Sequence, residues 1–303
     1  MRIPPAAVAM PLTTAVSTGL ESVKAQPKPA PAPGPAPTEL TSIPTIQGAV
    51  DASSLVGTTV MTSGVVTAVA NVKGAFDSQP KQVVFVQDLA GDGDAHTSDA
   101  MAIRTESPFT GKIGSSFTFT GVVKEYDNMT TLWHATAEAV KGAKAVTRAD
   151  LPVTALSLPA DVGDSALWME AHEGMLGSLT GALVMTPTTS YGTFTAVEEV
   201  SHGVRKDYDG ANQGQHVDVT SDGGVRSNVN TGDRLSSIVG PIDQTRGTYR
   251  VVQQNDDAKR VAGPKAPNMW GDIDGNGKIT DTDIAAIKGR IDALADGPLD
   301  AAD

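Results

Sequence analysis

The sequence predicts a mainly β chain made of two small Greek-key barrels, followed by a short loop and one helix. Two consecutive segments, residues 42–150 and 151–256, are built from short runs rich in Val, Thr and Phe that Gly, Asp and Asn separate. This is the pattern of strands joined by turns. The two segments also share landmarks at nearly constant spacing. Beyond residue 270 the apolar residues take up helical spacing instead.

The residues before the first barrel are not expected to fold into it. Residues 1–24 carry one arginine and a mildly apolar run, which indicates a weak signal-like N-terminus. Residues 25–41 are rich in proline and alanine and are predicted to form an extended linker, the alternative being a low-complexity tail without a role. No stretch of about 18 apolar residues occurs, so no membrane span is expected.

Each barrel segment contains five predicted strands, which suits a small Greek-key barrel. In residues 42–150 the runs are TTVMTSGVVTAVA, QVVFVQD, AMAIRT, SSFTFTGVVKEYD and TTLWHATAEAV. In residues 151–256 they are MLGSLTGALVMT, YGTFTAVEEV, QHVDVTS, DRLSSIVGPID and GTYRVVQ. Three glycine pairs lie 117, 118 and 119 residues apart, namely Gly64 and Gly181, Gly114 and Gly232, and Gly121 and Gly240. Because each pair has a similar apolar frame, the spacing predicts a duplicated barrel.

Composition limits the functions that these barrels could have. Lys and Arg number 23 against 35 Asp and Glu, a net charge of -12, which argues against non-specific binding of nucleic acid or anionic membrane through the whole surface. The chain has no cysteine, and therefore no disulfide and no thiolate chemistry. Its five histidines show no metal-ligand spacing, and no serine lies in a G-x-S-x-G motif. No catalytic residue is therefore predicted.

Aromatic residues make up only 4% of the chain, so the cores are expected to be aliphatic. Binding of nucleic acid would need exposed aromatic rings beside basic side chains. Phe117, Phe119, Tyr126 and Trp133 lie on predicted strands with Lys124 nearby. Phe117 and Phe119 are two residues apart and share a face, and we favour the interpretation that they fill the core of the first barrel, because aromatic residues are scarce and a small barrel must be filled by side chains. A nucleic-acid surface is the alternative.

Two other groups of polar residues have alternative explanations. A glycine-rich loop holds four aspartates, Asp88, Asp92, Asp94 and Asp99. We favour a turn-rich connection between two strands, with a second calcium site as the alternative. His172 stands beside Glu173 in an isolated pair, for which a structural role is favoured over a catalytic one.

Near the C-terminus, residues 271–283 alternate oxygen-bearing side chains around a central glycine, Gly277. The spacing fits the twelve-residue calcium loop of an EF-hand, with Asp in place of the usual Glu at the last position. The predicted calcium ligands are Asp272, Asp274, Asn276, Lys278 through its carbonyl, Thr280 through water, and Asp283. The alternative is an acidic turn that binds no ion.

A helix is predicted after this loop, at about residues 281–295. Thr280 can cap it, and Ile284, Ile287, Ile291 and Leu294 recur at helical spacing on one face. Two prolines and two glycines precede the loop, which excludes an entering helix. The sequence therefore predicts half of a helix–loop–helix.

A calcium loop with an exit helix and no entry helix resembles the first repeat of a type I dockerin, the small module that attaches secreted proteins to scaffold proteins called cohesins. The residues that carry this resemblance are Gly271, Asp272, Asp274, Asn276, Gly277, Ile279, Thr280, Asp283, Ile284, Ile287 and Lys288. It implies Ca²⁺ as the cofactor, a cohesin-type scaffold protein as the partner, and partner contacts at Asp281, Thr282 and Lys288. Dockerins have two such repeats, so residues 271–303, after a linker at 257–270, are expected to be an incomplete dockerin-like repeat.

Residues 42–254 carry a second resemblance. The strings IPTIQG, VFVQDLAGDGDAHTSDAMAI and GVVKEYDNMTTL, and later EAHEGMLGSLTGALVMT and GDRLSSIVGPIDQTRGTYRVV, are similar to the tandem OB-fold modules that precede the catalytic domain of secreted bacterial endonucleases of the ExeM/NucH type. The resemblance implies an OB-like fold for both barrels. The nuclease domain of that family is replaced here by the dockerin-like tail.

The fold class predicted is thus mainly β, with two small OB-like Greek-key barrels followed by a short calcium loop plus helix. The favoured function is a non-catalytic, secreted, calcium-binding module with a dockerin-type docking tail, part of an extracellular system that degrades polysaccharide or nucleic acid. Two alternatives are a fragment of an extracellular endonuclease that lacks its catalytic domain, and a dockerin-bearing polysaccharide hydrolase component. Nucleic acid is an open but not favoured partner.

Overall fold

The structure is a computed structural model that describes residues 37–74, 77–79, 81–198, 213–221, 227–254 and 280–296. All of these belong to one compact unit of the chain, residues 36–303. The fold is mainly β, as predicted, with two closed sheets of strands. None of the described helices is long and apolar enough to cross a membrane.

The first barrel follows a short helix, α1, at Ile43–Gln47. Its strands are β1 (Thr59–Val72), β2 (Lys81–Gln87), β3 (Ala100–Thr105), β4 (Ser116–Tyr126) and β5 (Met129–Ala139). They close in the order β1-β2-β3-β5-β4, with β4 paired back to β1. The β3–β5 pair is parallel and the other pairs are antiparallel. This five-stranded Greek-key barrel has the architecture of an OB fold.

The second barrel repeats this topology. A short strand, β6 (Thr154–Ala155), and a helix, α2 (Val162–Glu170), precede it. Its strands are β7 (Leu176–Val184), β8 (Thr193–Val197), β9 (Val217–Thr220), β10 (Arg234–Thr245) and β11 (Thr248–Val252). They run in the order β7-β8-β9-β11-β10, β10 pairs back to β7, and the β9–β11 pair is parallel. The strand β6 adds to the outside of this ring beside β7.

Equivalent turns also match between the barrels. Gly114 and Gly232 both have φ 85°, and their N–H groups donate to Val66 O at 2.7 Å and to Val184 O at 2.8 Å. Glycine suits this left-handed backbone because it has no Cβ. The hairpins that join the last two strands of each barrel are two-residue turns with positive φ at both central residues. The shared topology and turns agree with the duplication that the glycine spacing predicts.

Each barrel has its own aliphatic core. In the first, Phe119 is fully buried, and Phe109 and Phe117 pack beside it. The prediction that Phe117 and Phe119 are core residues is therefore confirmed. Tyr126 and Trp133 are not members of that core cluster. Successive side chains of a strand point to opposite faces, and here the residues next to these two rings face the core.

The outer face of β1, β2 and β3 is covered by the second barrel. Alternate residues there, including Phe85 and Ala102, point away from the first core yet are fully or almost fully buried. They form a separate apolar cluster with Val252 of β11. A strand face that OB folds often use for ligands is therefore buried between the barrels here, and any ligand of the first barrel must bind elsewhere.

Candidate functional site

Two aromatic rings and two cations share the outer surface of β3, β4 and β5. Tyr126 and Trp133 have ring centroids 4.7 Å apart. The Arg104 guanidinium carbon lies 4.3 Å from the Tyr126 centroid, and Lys124 Nζ lies 4.5 Å from the Trp133 centroid. The strand pairing sets this arrangement, since Arg104 is the direct partner of Trp133 across β3 and β5. We call these four residues the aromatic–cation face.

The two cations of this face differ in their surroundings. Arg104 Nη1 lies 3.2 Å from Asp77 Oδ2, and the two side chains are only 11% and 9% exposed. Arg104 is therefore held by an ion pair and by the ring that it covers. Lys124 is exposed. Burial, followed by a hydrogen bond with Asp77, raises the pKa of the Tyr126 phenol, which stays protonated at neutral pH.

A groove of about 580 Å³ runs beside Trp133. Lys81, Arg104 and His134 line it together with the Trp133 ring. His134 has φ 50° and is skipped in the strand pairing, because Arg104 pairs with Trp133 and the next pair is Thr105 with Ala135. A bulge of this kind redirects a side chain and is frequent beside binding sites. The bulge places the His134 imidazole at the groove, next to Trp133.

This arrangement suits a planar ligand that carries negative charge. Tyr126 and Trp133 are half-buried. Aromatic rings at a surface offer stacking area, and Arg or Lys near them add cation–π attraction and charge. Arg104 and His134 were not singled out from the sequence. The alternation of AMAIRT does place Arg104 outward, but its contact with Trp133 depends on a pairing between strands far apart in the chain.

Most of the predicted calcium ligands, Asp272, Asp274, Asn276 and Lys278, lie outside the described residues. Thr280 and Asp283 are described. The Thr280 N–H and the Thr280 Oγ1 hydroxyl both donate to Asp283 Oδ2 at 2.7 Å, and the helix α3 (Asp281–Asp296) begins at the next residue. The predicted start of the helix is correct, and Asp283 fixes its first turn in the manner of a capping box.

The predicted partner-contact residues lie on α3. Asp281 and Thr282 in its first turn and Lys288 further along are all exposed. Ile284 is also largely exposed, and Ile287 is half-buried. Their contact with another protein stays a prediction.

The acidic loop between β2 and β3 uses its carboxylates locally. Asp88, Asp92, Asp94 and Asp99 each accept a hydrogen bond from a backbone N–H of the same loop. This agrees with a turn-rich connection, in which aspartates stabilise the turns. Within the described ranges, no group of three or more His, Cys, Asp or Glu side chains is arranged to hold a metal ion.

His172 packs against Trp168 of the helix α2. Its Nδ1 lies 2.7 Å from Trp168 O, and its ring stacks on the Trp168 ring with centroids 3.9 Å apart. Burial lowers the pKa of His172. The stacking and the bond to the helix α2 give this residue a place in the packing, in keeping with the favoured interpretation.

Comparisons with known proteins add little on function. A domain of unknown function, DUF8508, matches residues 160–262, which is less than half of the chain. No curated protein matches the chain. A crystal structure of fission yeast Pot1 with single-stranded DNA is 13% identical and covers 67% of this chain and 81% of its own, with a TM-score of 0.22. Because that score is low, nothing about this chain's ligand is inferred from it.

Proposed function

We propose that this chain is a non-catalytic binding module and that its first barrel binds single-stranded nucleic acid along the groove beside Trp133. The observation that carries the proposal is the aromatic–cation face, which puts Trp133 and Tyr126 on the outside of a closed barrel with Lys124 and Arg104 over their rings. Stacking of bases on aromatic rings beside a cationic path is how single strands are bound without regard to sequence.

The exposed Lys124 can take part in binding both bases and phosphates. Lys124 covers the Trp133 ring in the free protein, and its flexible stem allows it to move aside for a base and pair with a phosphate. Lys81 and Arg104 line the same groove together with Asp77 and Glu106, and the exposed Lys81 supplies further positive charge. Arg104 is already oriented by Asp77, so little entropy is lost when it meets a ligand.

The net charge of -12 and the aromatic rings favour single-stranded over double-stranded nucleic acid as the ligand. An acidic protein repels duplex DNA, whose base faces are hidden in the stack and whose charge density is high. Unpaired bases expose their faces and can stack on Trp133. We therefore expect weak, salt-sensitive binding of short single strands and weaker binding of duplex.

Fluorescence anisotropy with a labelled twelve-residue oligothymidylate tests this proposal, with the matching duplex as the second probe. Trp133→Ala should weaken binding at least about fivefold, since one stacked base is worth roughly 1–3 kcal/mol. Lys124→Ala should also weaken it, because Lys124 lies over the Trp133 ring. Lys141→Ala should not, because it removes an exposed lysine that belongs neither to the aromatic–cation face nor to the groove lining. The proposal fails if the wild-type protein does not bind at low salt, or if Trp133→Ala binds as well as the wild type.

A second function is proposed for the C-terminal tail, namely calcium-dependent docking to a cohesin-type scaffold protein within a secreted degradative system. Its support is the spacing of the loop residues together with the first turn of α3, where Asp283 is tied to Thr280 and Asp281 and Thr282 are exposed. Calcium would order the loop and so stabilise a helix that is marginal alone.

Pull-down from the secreted proteins of the same organism, with and without chelator, tests the docking function. A partner should be captured with calcium and lost with chelator or with Lys288→Ala. Equal capture in chelator would refute it. Incubation with plasmid DNA, RNA and polysaccharides in calcium and magnesium should give no turnover. An activity that survives repurification and is lost in a single-residue variant would contradict the non-catalytic assignment.

A further inference from the structure

The second barrel has a large cleft of its own, on the outer face of β8, β9 and β11. Its volume is about 720 Å³, within the range of small-molecule sites. Eight of the fourteen described residues that line it are threonines. Their methyl groups help to make this lining more apolar than polar, while their hydroxyls can both donate and accept hydrogen bonds. Such a surface favours a ligand that combines apolar faces with hydroxyls.

The charges in the cleft compensate one another. Thr195, Asp218 and Arg250 are direct partners across β8, β9 and β11. The row continues to Asp243 on β10, whose Oδ2 lies 2.7 Å from Arg250 Nε. On the other side, the Thr195 hydroxyl donates to Asp218 Oδ1 at 2.6 Å. Arg250 therefore lies between two carboxylates.

Among the described residues of the cleft lining, the remaining charged one is Arg246, on the β10–β11 hairpin. Asp243 is buried behind the lining and pairs with Arg250, so the two arginines are matched by Asp218 and Asp243 among the described residues. A polyanion such as a phosphate backbone gains little there. The aromatic–cation face of the first barrel differs because it has an exposed lysine, Lys124, that can meet a phosphate.

An exposed ring stands beside the cleft. Tyr191 is 87% exposed and lies in the turn between Thr189 and Thr193, both of which line the cleft. The hydroxyls of these threonines are 2.7 Å apart, and the Gly192 N–H donates to Thr189 O at 2.9 Å. The turn is therefore held closed with the phenol ring in solvent. A tyrosine combines an apolar face with a polar tip, which suits contact with a sugar ring.

We propose that this cleft binds a neutral oligosaccharide, through the threonine hydroxyls and the Asp218–Arg250 row, with Tyr191 as a stacking surface. The site is separate from the groove beside Trp133, and it does not depend on nucleic-acid binding there. Hydroxyls of a sugar chain can accept hydrogen bonds from Arg250 and donate hydrogen bonds to Asp218. An ionised phosphate can only accept, so it cannot bond to Asp218.

Calorimetry on the full chain tests the proposal with cellohexaose, maltohexaose, xylohexaose and chitohexaose as neutral probes. Hexagalacturonic acid and the oligothymidylate serve as anionic probes. At least one neutral hexasaccharide should bind, and Tyr191→Ala and Thr248→Val should each weaken it fivefold or more. Both side chains are exposed, so these variants should fold. Lys124→Ala should leave sugar binding unchanged while it weakens oligothymidylate binding.

Three results would overturn the proposal. The first is that none of the four neutral hexasaccharides binds at millimolar concentration. The second is that the affinity is the same in Tyr191→Ala and Thr248→Val as in the wild type. The third is that hexagalacturonic acid or oligothymidylate competes for the cleft more strongly than the neutral sugars, which would mean that the site selects anions.

Discussion

The carboxylate of Asp127, in the β4–β5 hairpin of the first barrel, accepts a hydrogen bond from the backbone N–H of Arg246, 2.8 Å away in the β10–β11 hairpin of the second barrel. The Thr245 hydroxyl donates to the same carboxylate. These hairpins occupy equivalent positions in the duplicated barrels, so the repeat has placed two like turns in contact. Asp127 thereby joins the two barrels at the edge of their covered face.

Asp127→Ala should weaken this junction. Loss of the acceptor leaves the Arg246 N–H and the Thr245 hydroxyl without this partner, at a cost of roughly 1–3 kcal/mol. Amide hydrogen exchange at Arg246 should accelerate, and the free energy of unfolding in urea should fall. Asn128→Ala is the matched control, because Asn128 has the same left-handed backbone, φ 67° against 61° for Asp127. Equal losses in the two variants would mean that backbone strain, and not the junction, is measured.

A second junction predicts how stability depends on pH. Glu173 follows α2, is only 1% exposed, and accepts a hydrogen bond from the Thr130 N–H of the first barrel at 3.2 Å. Burial raises the pKa of Glu173 well above its usual value, and the nearby carboxylates of Glu170 on α2, Glu125 on β4 and Asp243 on β10 raise it further. The bond from Thr130 acts in the opposite direction. The folded protein therefore holds this proton more tightly than the unfolded chain.

The sign of the effect follows from proton linkage. Between the unfolded and the folded pKa, the native state binds more protons, so the free energy of unfolding falls as pH rises through that window. Glu173→Gln keeps an acceptor for Thr130 and removes the ionisation. Its stability should decline less above about pH 4.3, the usual pKa of Glu, and should exceed that of the wild type at high pH. Urea unfolding at several pH values measures this, with exposed Glu106→Gln as the control. Parallel curves for the wild type and Glu173→Gln would contradict it.

Gly121 and Gly240 occupy equivalent positions in the two barrels, and substitution of either should destabilise the protein because neither has room for a Cβ. A Cβ added at Gly121 would lie 2.8 Å from Trp133 O, and one added at Gly240 would lie 2.0 Å from Val252 O. Both of these oxygens are backbone atoms of the neighbouring strand, so neither can move without disrupting the hydrogen bonds between the strands. Gly121→Ala and Gly240→Ala should each destabilise by roughly 1–3 kcal/mol, the usual cost of overpacking. Thermal unfolding measures this.

Gly289 is the control for these variants. It lies in α3 with nothing within 4 Å of an added Cβ, so Gly289→Ala should stabilise the helix by about 1 kcal/mol. If all three glycine variants changed stability alike, close packing at Gly121 and Gly240 would not be the cause.

The sequence predicted what depends on local patterns. Alternating apolar residues and turn glycines gave the strands and the duplication, because each such signal lies within a few residues. The short helix α1 was not predicted, since five residues are too few for periodicity to show. The burial of Phe85 does have a local signal, because QVVFVQD is apolar without alternation, the pattern of a strand covered on both faces.

The candidate site was harder to predict because it combines distant parts of the chain. Trp133 lies on a predicted strand, and the alternation of β5 turns its ring outward, since Leu132 fills the inward position. The contact of Arg104 with Trp133 requires the register of a parallel pair, which no local pattern specifies.

The last prediction concerns calcium at the C-terminal loop. Asp283 is the predicted closing ligand, and its Oδ2 already accepts hydrogen bonds from the N–H and the hydroxyl of Thr280. Asp also has a shorter arm than the Glu that usually closes such loops. We therefore expect Asp283 to coordinate calcium through one oxygen and the site to be weak.

Calorimetric titration with calcium should show one site, which Asp272→Ala abolishes. Asp283→Glu should tighten it about tenfold, since the longer side chain can close the loop with both oxygens. Asp281→Ala is the control, because Asp281 is exposed in the same turn and is not a predicted ligand. Calcium should also raise the melting temperature, because a ligand that binds only the folded state stabilises it. If the wild-type protein shows neither heat nor stabilisation at millimolar calcium, the loop is an acidic turn that binds no ion.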